Sequence, residues 1–395
     1  MRTGLLAETL AARGHGVVWW TSTFDHVRKS HRSSGDGVVQ PAPGVEVRMI
    51  RGTGYRANVS LRRLLDHLVV GLRWRYLVRA EAEPAAIVCS MPTIELAAAT
   101  ASYATKRGVP FIIDVRDLWP DAISDALPPG LTKVGHWLLW PWRWMLGRAL
   151  RAATVVTATS PAYLRWAVMR SGRPTATRDR VFPLGFESRS LEPHELSDQA
   201  ALLRAKGLDE SKVICWFVGT FGATYDLGTL IEAASLLSRR GVANVQVVLS
   251  GDGEASSSLR SLATRADNVV FTGWLDAAGL AYLSAVATIG LATYARGAPQ
   301  SMPNKLFQYL NAAVPVVSSL GTETADLLAT HQCGLTYEAG NAESLADCLS
   351  FLAGDLSVCR EMGERGRQLY EERFESTRIY ADMAELVEAT VSSRA

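Results

Sequence analysis

Cysteine is rare in this sequence. The 395 residues include only five cysteines, at positions 89, 215, 333, 348 and 359, and no two of them form a C-x-x-C pair. An odd and dispersed set of cysteines excludes a disulfide framework and argues against a zinc site. We therefore expect a cytoplasmic protein that needs no metal and no cofactor.

Long apolar runs and a strong charge of either sign are also missing. The most apolar stretch, from Trp137 to Val156, is broken by Arg143, Arg148 and Arg151, so the sequence predicts no transmembrane helix. The formal net charge of +2 is too small to indicate a nucleic-acid partner. Hydrophobic residues make up 48% of the chain, which is enough to build the cores of two domains.

Two blocks of strand-like runs alternate with helical patterns. The first block predicts strands at Val17–Thr21, Val45–Ile50, Ala86–Cys89, Phe111–Val115 and Thr154–Thr157. The second predicts strands at Val213–Val218, Val245–Leu249, Val269–Thr272, Ala287–Leu291, Val314–Ser318 and Leu335–Tyr337. Helices are predicted between them, for example at Thr229–Ser238, Glu254–Ala266 and Asn304–Ala312. This alternation predicts an α/β protein with two Rossmann-like, doubly wound domains that face each other across a cleft.

The boundaries follow from changes in composition. We expect an N-terminal domain over 1–190, a C-terminal domain over 199–375, and a final helix over 376–395 that packs back on the N-terminal domain. The segment Gly185–Asp198 is polar and is predicted to be a helix-poor linker. The segment Leu356–Val391 is predicted to be helical.

The start of the chain is unusual for such a fold. The sequence enters a helical pattern at once, with Leu5, Leu6 and Leu10 before Gly14, and the first strand of the N-terminal domain is missing. Because an unpaired central strand position leaves buried backbone groups unsatisfied, we expect the true product to begin upstream of Met1. The chain as it stands is then expected to be poorly soluble and weakly active.

Three glycine-containing turns follow predicted strands of the second block. Phe217–Gly222 follows the first strand, Ser250–Gly253 the second, and Phe271–Trp274 the third. Glycines at a strand-to-helix turn let backbone N–H groups approach a phosphate, although a plain tight turn gives the same pattern. Asp252 also fits a helix cap, and Trp274 fits either a nucleobase stack or the rim of the core.

The segment Tyr294–Leu310 carries the densest signal. Ser301 is predicted as a helix cap and Pro303 as an early helix position, so the helix from Asn304 directs its free N–H groups at a bound diphosphate. Lys305 is the only lysine after position 212, and it stands at this helix start. The alternative is an ordinary capped helix with a solvated lysine.

Taken in order and spacing, these motifs resemble the retaining glycosyltransferases of family 4, which have the GT-B fold. The likeness extends over nearly the whole chain and includes Ala312–Val317 and Gly334–Leu345. Arg116–Pro120 resembles a subgroup that builds bacterial polysaccharides and O-antigens from UDP-linked N-acetylated sugars, such as WbuB-like N-acetylfucosamine transferases. The resemblance implies that the C-terminal domain binds the donor and the N-terminal domain binds the acceptor.

The motifs and the resemblance together predict the site residues. The donor set is Gly219, Thr220, Phe221, Gly222, Asp252, Gly253, Trp274, Arg296, Ser301, Met302, Pro303, Asn304, Lys305 and Gln308. The catalytic set is Arg116, Asp117 and Gln300. Retaining enzymes of this fold use the leaving phosphate as the base, so the resemblance implies neither a metal nor a dedicated carboxylate.

The sequence departs from the family pattern at several of these positions. Gln300 and Gln308 stand where the family usually has two glutamates, of which the second grips the ribose and the first contacts the transferred sugar. The basic pair that usually follows the first glycine turn is absent, because Thr220–Tyr225 carries no cation. Arg116 and Asp117 replace the family's His-Asp pair.

Tryptophan is concentrated in the stretch Lys133–Arg151. Trp137, Trp140, Trp142 and Trp144 lie there among four basic residues and several leucines. Aromatic and basic residues on one amphipathic helix favour contact with an anionic membrane, and the alternative is a helix that packs its aromatics into the core. We predict a peripheral protein on the inner face of the cytoplasmic membrane.

The predicted activity is transfer of a hexosyl or N-acetylhexosaminyl group from a UDP-sugar, with retention, to a glycan or lipid-linked acceptor in polysaccharide or lipopolysaccharide synthesis. A second hypothesis is a nucleotide-sugar-binding protein without turnover, which the two glutamines favour. A third is a UDP-sugar epimerase of the same architecture, for which the histidines show no clustering in the sequence.

Overall fold

A computed structural model of the chain describes residues 2–26, 28–57, 60–125, 130, 132–186, 191–321 and 323–392. Its internal contacts divide the chain into two compact units. Unit 1 comprises residues 1–183 together with 377–395, and unit 2 comprises residues 184–376. Unit 2 is therefore inserted into the chain of unit 1.

Unit 1 is built from short strands and longer helices. In chain order its elements are α1 (Arg2–Ala12), β1 (Val17–Ser22), β2 (Phe24–Asp25), β3 (Ser30–His31), β4 (Gly37–Ala42), β5 (Val45–Ile50), α2 (Leu61–Leu77, extended by a 3-10 turn, Val78–Ala80), β6 (Ile87–Ser90), α3 (Ile94–Arg107), β7 (Phe111–Val115), α4 (Asp121–Asp125), α5 (Thr132–Leu138), α6 (Trp140–Ala152), β8 (Val155–Ala158), α7 (Pro161–Ser171) and β9 (Arg180–Val181).

The strands of unit 1 form two main sheets instead of one. The first has the order β1-β5-β4, and the second has the order β6-β7-β8-β9. Within these two sheets all pairs are parallel except β4 with β5. Among the described strands, β1 pairs only with β5 and β6 only with β7, so each is an edge strand. The prediction about the start of the coding sequence stays a prediction.

Unit 2 follows with one continuous sheet. Its elements are α8 (Pro193–Ala205), β10 (Val213–Val218), α9 (Leu227–Arg239), β11 (Val245–Ser250), α10 (Ser256–Ala263), β12 (Val269–Gly273), α11 (Ala277–Val286), β13 (Ile289–Ala292), α12 (Asn304–Asn311), β14 (Val316–Ser318), α13 (Glu323–His331), β15 (Gly334–Thr336), α14 (Ala342–Gly354) and α15 (Leu356–Arg373). A final helix, α16 (Ser376–Ser392), returns the chain to unit 1.

The sheet of unit 2 is parallel throughout and has the order β12-β11-β10-β13-β14-β15. The order reverses between β10 and β13. In doubly wound sheets, ligands bind outside the carboxyl ends of the two strands at such a reversal. The candidate site of unit 2 is therefore expected where β10 and β13 end.

The predicted α/β fold is confirmed, and the predicted strands match observed strands to within about two residues at each end. The hairpin β2–β3 and strand β4 were missed. Strand β4 contains Pro41, and its pairing with β5 shifts register between Val39 and Ala42, which accommodates a residue without an N–H donor. The prediction of a helix-poor linker is wrong from Pro193 onward, because α8 begins there.

Helix α8 forms despite its polar composition because its first turn is well suited to a helix start. Pro193 occupies the first turn, where a missing N–H costs nothing. The carboxylate of Glu195 accepts a hydrogen bond from the backbone N–H of Glu192 at 3.2 Å. Residues 187–190 of the predicted linker lie outside the described residues.

Candidate nucleotide-sugar site

The three glycine turns of unit 2 pack directly on one another. Gly219 follows β10 with φ +158°, and Gly251 follows β11 with φ +140°. Residues other than glycine rarely adopt these backbone angles. A Cβ atom on Gly251 would lie only 1.9 Å from the carbonyl oxygen of Gly219. The glycines are therefore required because the backbones of adjacent turns touch.

This packing uses most of the N–H groups that were expected to bind phosphate. The N–H of Gly219 donates to the carbonyl of Ser250 at 3.0 Å, and that of Phe221 donates to the carbonyl of Asp252 at 2.9 Å. The N–H of Gly222 donates to the carbonyl of Thr220 at 3.0 Å. These three N–H groups are therefore engaged within the chain, and the interpretation of this turn as a phosphate cradle stays a prediction.

Asp252 and Gly253 serve local structure. The carboxylate of Asp252 accepts hydrogen bonds from the Ser256 hydroxyl and, at 2.8 Å, from the N–H of Gly253, and these bonds lower its pKa. A Cβ atom on Gly253 would meet the Phe221 carbonyl at 2.4 Å. Asp252 therefore stabilises the turn, but the alternative of a helix cap from Asp252 is wrong, because the N-cap of α10 is Ala255 and makes no side-chain cap bond. Trp274, by contrast, is 61% exposed just after β12 and leaves its ring face open to a ligand.

Helix α12 begins without a side-chain cap. Pro303 precedes the helix in an extended conformation, and no side chain of the described residues bonds to the first turn. The prediction that Ser301 caps this helix is wrong. Its hydroxyl pairs with Glu323 and its carbonyl accepts from Thr324, so both groups are committed to the start of α13. In the first turn of α12 the N–H of Leu306 donates to the carbonyl of Pro303 at 3.0 Å, so the N–H groups of exposed Asn304 and of Lys305 are the candidates for binding an anion.

Lys305 lies in a box of aromatic rings. Its ammonium nitrogen stands 3.9 Å from the ring centre of Phe217, 3.8 Å from Tyr225 and 5.1 Å from Tyr294. A backbone bridge between Tyr225 and Tyr294 holds two of these rings together at 4.9 Å. The nitrogen also lies 3.4 Å from where a Cβ of Gly219 would stand. The switch point of the sheet therefore brings together the glycine turn and the lysine.

The charge of Lys305 is poorly compensated. The residue is 6% exposed, and its Nζ has no hydrogen-bond partner among the described residues. Burial lowers its pKa well below the ordinary value. The alternative of a solvated lysine is therefore wrong. A buried ammonium without a polar partner is costly, and an anion at this position would remove the cost.

The other predicted site residues of unit 2 have different surroundings. Gln300 presents a buried Oε1 without a partner among the described residues, and Met302 packs against the core. Gln308 is buried and donates to the Ser284 hydroxyl at 3.3 Å. Arg296 bonds to Glu338 and to the carbonyl of Ala339, so its guanidinium is already occupied on the surface.

In unit 1, Arg116 is part of a buried ionic cluster around Asp114. The Asp114 carboxylate accepts from Arg2 at 2.9 and 3.0 Å, from Arg116 at 2.7 Å and from the Thr157 hydroxyl at 2.8 Å. Burial alone would raise the pKa of Asp114, but the charges and hydrogen bonds of the two arginines outweigh it and hold the pKa below its usual range. Arg116 therefore neutralises a structural charge.

Asp117 faces a second cluster that the sequence did not reveal. Burial raises the pKa of Asp117, partly offset by a hydrogen bond from the Leu118 N–H and by the charge of Arg63. The guanidinium of Arg63 lies 4.1 Å from the ring centre of Trp119. His67 and Glu95 adjoin it, and burial together with Arg63 lowers the pKa of His67 to about 4. These residues come from separate segments, so only the fold brings them together.

The Trp cluster is divided between core and surface. Trp137, Trp140 and Trp144 are 77%, 62% and 51% exposed. Trp142 instead packs against the core and donates to the Glu95 carboxylate at 2.6 Å. The alternative in which the helix buries its aromatics is therefore correct for Trp142 and wrong for the other three.

The described residues hold neither a cluster of metal ligands nor a membrane-spanning helix. No three His, Cys, Asp or Glu side chains gather there as metal ligands. None of the helices in the described part of the chain is both long and apolar enough to cross a membrane.

Comparisons with known proteins agree with this architecture. Residues 1–185 match the family model described as "Glycosyl transferase 4-like domain", and residues 212–355 match "Glycosyl transferases group 1". No curated protein sequence matches the chain.

Several solved structures share the fold at low sequence identity. Sucrose-phosphate synthase from Thermosynechococcus elongatus is 18% identical with a TM-score of 0.75, over 98% of this chain and 92% of that one. HepE from Anabaena, in complex with UDP-glucose, is 16% identical with a TM-score of 0.62, over 87% and 86%. WaaG, a glycosyltransferase involved in lipopolysaccharide biosynthesis, is 14% identical with a TM-score of 0.63, over 98% and 94%. With both family models matched in order and the fold shared throughout, the chain belongs to the family 4 glycosyltransferases of the GT-B fold.

Proposed function

We propose that the chain transfers a hexosyl or N-acetylhexosaminyl group, with retention, from a UDP-sugar to a glycan or lipid-linked acceptor in bacterial cell-surface polysaccharide synthesis. The observation that carries the proposal is the unpartnered ammonium of Lys305 at the switch point of unit 2. The neighbours whose structures hold UDP or UDP-glucose support the choice of donor.

In this proposal the donor diphosphate binds between the ammonium of Lys305 and the first backbone N–H groups of α12. Its negative charge would pair with the ammonium and with the free N–H groups of the helix, which act in place of a metal. Trp274 supplies an exposed ring for the nucleobase. Gln300, with its unpartnered buried oxygen, is the group placed to meet a hydroxyl of the transferred sugar.

Calorimetry with UDP tests the donor site. Lys305→Ala should weaken UDP binding by about 1.5–3 kcal/mol, the range of a charge-assisted hydrogen bond. Arg296→Ala is the matched control, because this cation is already paired with Glu338 and should leave affinity unchanged. Equal affinities for wild type and Lys305→Ala would show that the phosphates bind elsewhere.

The chemical step needs no protein base in this proposal. The leaving phosphate accepts the acceptor's proton, and the buried charge of Lys305 stabilises the phosphate as its bond to the sugar breaks. Asp117 and the Arg63 cluster line the acceptor side in unit 1. Arg116 has a positioning role through Asp114.

Peripheral membrane contact is the second part of the proposal. Trp137, Trp140 and Trp144 are exposed, and Arg148 covers the ring of Trp144 at 4.8 Å. Replacing the three tryptophans with serine should release the protein from anionic vesicles while UDP binding is retained. Retained vesicle binding by a folded triple variant would contradict this part.

A binding protein without turnover is the competing function. Gln300 and Gln308 favour it, because neither carries the charge that the family has at these positions. Release of UDP and free sugar from a UDP-sugar, followed with the purified chain, separates the two functions. Tight UDP binding with no hydrolysis and no transfer to glycans or glycolipids would favour the binding protein.

A further inference from the structure

Helix α2 presents an apolar stripe to solvent. Its members recur every three or four residues, and their exposures range from 44% to 84%; they are Leu61, Leu65, Leu68, Leu72 and Tyr76. An amphipathic helix normally buries such a stripe against a core. The core-facing side of α2 is a different one, formed by Val70, Gly71 and Trp74.

The inner face of α2 already packs against α3. The exposed stripe is therefore a second apolar face of the helix and not the face that belongs to the core. Trp74 is 4% exposed and meets Tyr103 of α3 edge-on at 5.9 Å. A Cβ atom on Gly71 would lie 3.1 Å from the backbone of Glu95, which shows how closely α2 and α3 approach. The stripe is therefore an additional apolar surface on a helix that is already packed.

The exposed charges on α2 itself are all of one sign. Arg62, Arg75 and Arg79 are the exposed charged side chains of this helix and its 3-10 extension. The one acidic residue of the helix, Asp66, is buried and accepts from the N–H of Gly54 at 2.7 Å. An apolar stripe on a helix whose own exposed charges are arginines complements an anionic lipid surface, where leucines enter the acyl boundary and arginines meet headgroups.

Helix α2 and helix α6, which carries Trp140 and Trp144, both pack against α3. His67 of α2 lies 3.8 Å from the Glu95 carboxylate, and Trp142 of α6 donates to the same carboxylate at 2.6 Å. Helices α2 and α6 therefore meet at one residue of α3. We infer that the outer face of α2 (Leu61, Leu65, Leu68, Leu72, Tyr76 with Arg62, Arg75 and Arg79) docks on an anionic lipid bilayer, beside the Trp cluster. This inference extends the membrane contact proposed above.

Vesicle co-sedimentation of the full chain tests the inference. Leu65→Glu with Leu72→Glu should lower partitioning onto phosphatidylglycerol-containing vesicles at least about tenfold, since each leucine loses the gain of burial in lipid. The matched control is Leu202→Glu with Leu262→Glu, which changes two leucines of similar exposure in unit 2 and should bind like wild type. Replacing Arg62, Arg75 and Arg79 with glutamine should reduce binding to anionic vesicles and leave the weak binding to pure phosphatidylcholine unchanged.

The outcomes separate this inference from the proposed function. If the α2 variant binds vesicles as the control does, while the serine variant of the Trp cluster is released, α2 does not dock and the proposed contact stands. If wild type is a dimer that the α2 variant dissociates without loss of vesicle binding, a second copy covers the stripe and the inference is overturned. UDP binding, measured in parallel, tests the donor site independently. Should the double glutamate variant unfold, Leu61→Ser with Tyr76→Ser, at the most exposed positions, gives the same comparison.

Discussion

Unit 1 and unit 2 each bury a charged side chain, and the two charges have opposite surroundings. Asp114 in unit 1 is fully buried, yet two arginines and a threonine supply it with hydrogen bonds. Lys305 in unit 2 has three aromatic rings around it and no hydrogen-bond partner among the described residues. A charge that the protein itself satisfies stabilises the fold. A buried charge without a partner instead costs stability, and this is the place where we propose that a ligand supplies the partner.

The largest effect is expected at the satisfied charge. Asp114→Asn leaves the buried guanidinium of Arg2 without its counter-ion, and loss of one member of a buried pair costs about 3–5 kcal/mol. Urea unfolding measures the loss. Glu338→Gln, which removes the exposed partner of Arg296, serves as control and should leave the free energy of unfolding unchanged. A stability loss for Asp114→Asn no larger than that of the control would refute the comparison.

The unsatisfied charge should behave in the opposite way. Lys305→Met keeps the volume and removes the buried ammonium, so the free energy of unfolding should rise by about 1 kcal/mol, because the cost of an unpaired group exceeds the attraction of the rings. UDP affinity should fall in the same variant. Lys206→Met is the control, since the Lys206 ammonium donates to the carbonyl of Thr272 at 2.6 Å and its loss should not stabilise the protein. A destabilised Lys305→Met would mean that the ring box satisfies the charge.

The pH dependence sharpens the same contrast. Since burial lowers the pKa of Lys305 in the folded protein, the unfolded chain binds more protons between that lowered pKa and about 10.4. The stability of the wild type should therefore rise with pH across this window. The advantage of Lys305→Met should be greatest at low pH and shrink as pH rises. Parallel urea titrations of the two proteins measure the difference, and a difference that is constant with pH would show that Lys305 has an ordinary pKa.

The smallest effect is expected at Gln308. A glutamate there restores the family residue and can accept from the Ser284 hydroxyl, which Gln308 now contacts through its amide. Gln308→Glu should therefore change UDP affinity by less than about 1 kcal/mol, in the direction of tighter binding. Ser284→Ala, tested beside it, shows how far this hydroxyl orients residue 308. Abolished UDP binding in Gln308→Glu would place the ribose away from this side chain.

The fold was predictable from the sequence because buried parallel strands leave continuous apolar runs. Strand β4 was missed because it is exposed, carries a proline and pairs irregularly. Lys305 stood out because lysine is scarce, but its surroundings did not, since Phe217, Tyr225 and Tyr294 come from separate segments of the chain. The same reason hid Arg63, His67 and Glu95. The prediction of a helix cap at Ser301 failed although a serine shortly before a proline is typical of a helix start. The hydroxyl and the carbonyl of Ser301 bond instead to Glu323 and Thr324 at the start of α13.

The last helix has a consequence for how the chain folds during synthesis. In α16, Ile379, Tyr380 and Met383 cover Ile112 of β7 and Val155 of β8. These residues emerge from the ribosome only after all of unit 2. The second sheet of unit 1 therefore waits with part of its apolar surface uncovered while unit 2 is completed. The hydrophobic clusters of unit 2 include no described residue after Phe374. Unit 2 can therefore fold before unit 1 is complete, although most of unit 1 precedes it in the chain.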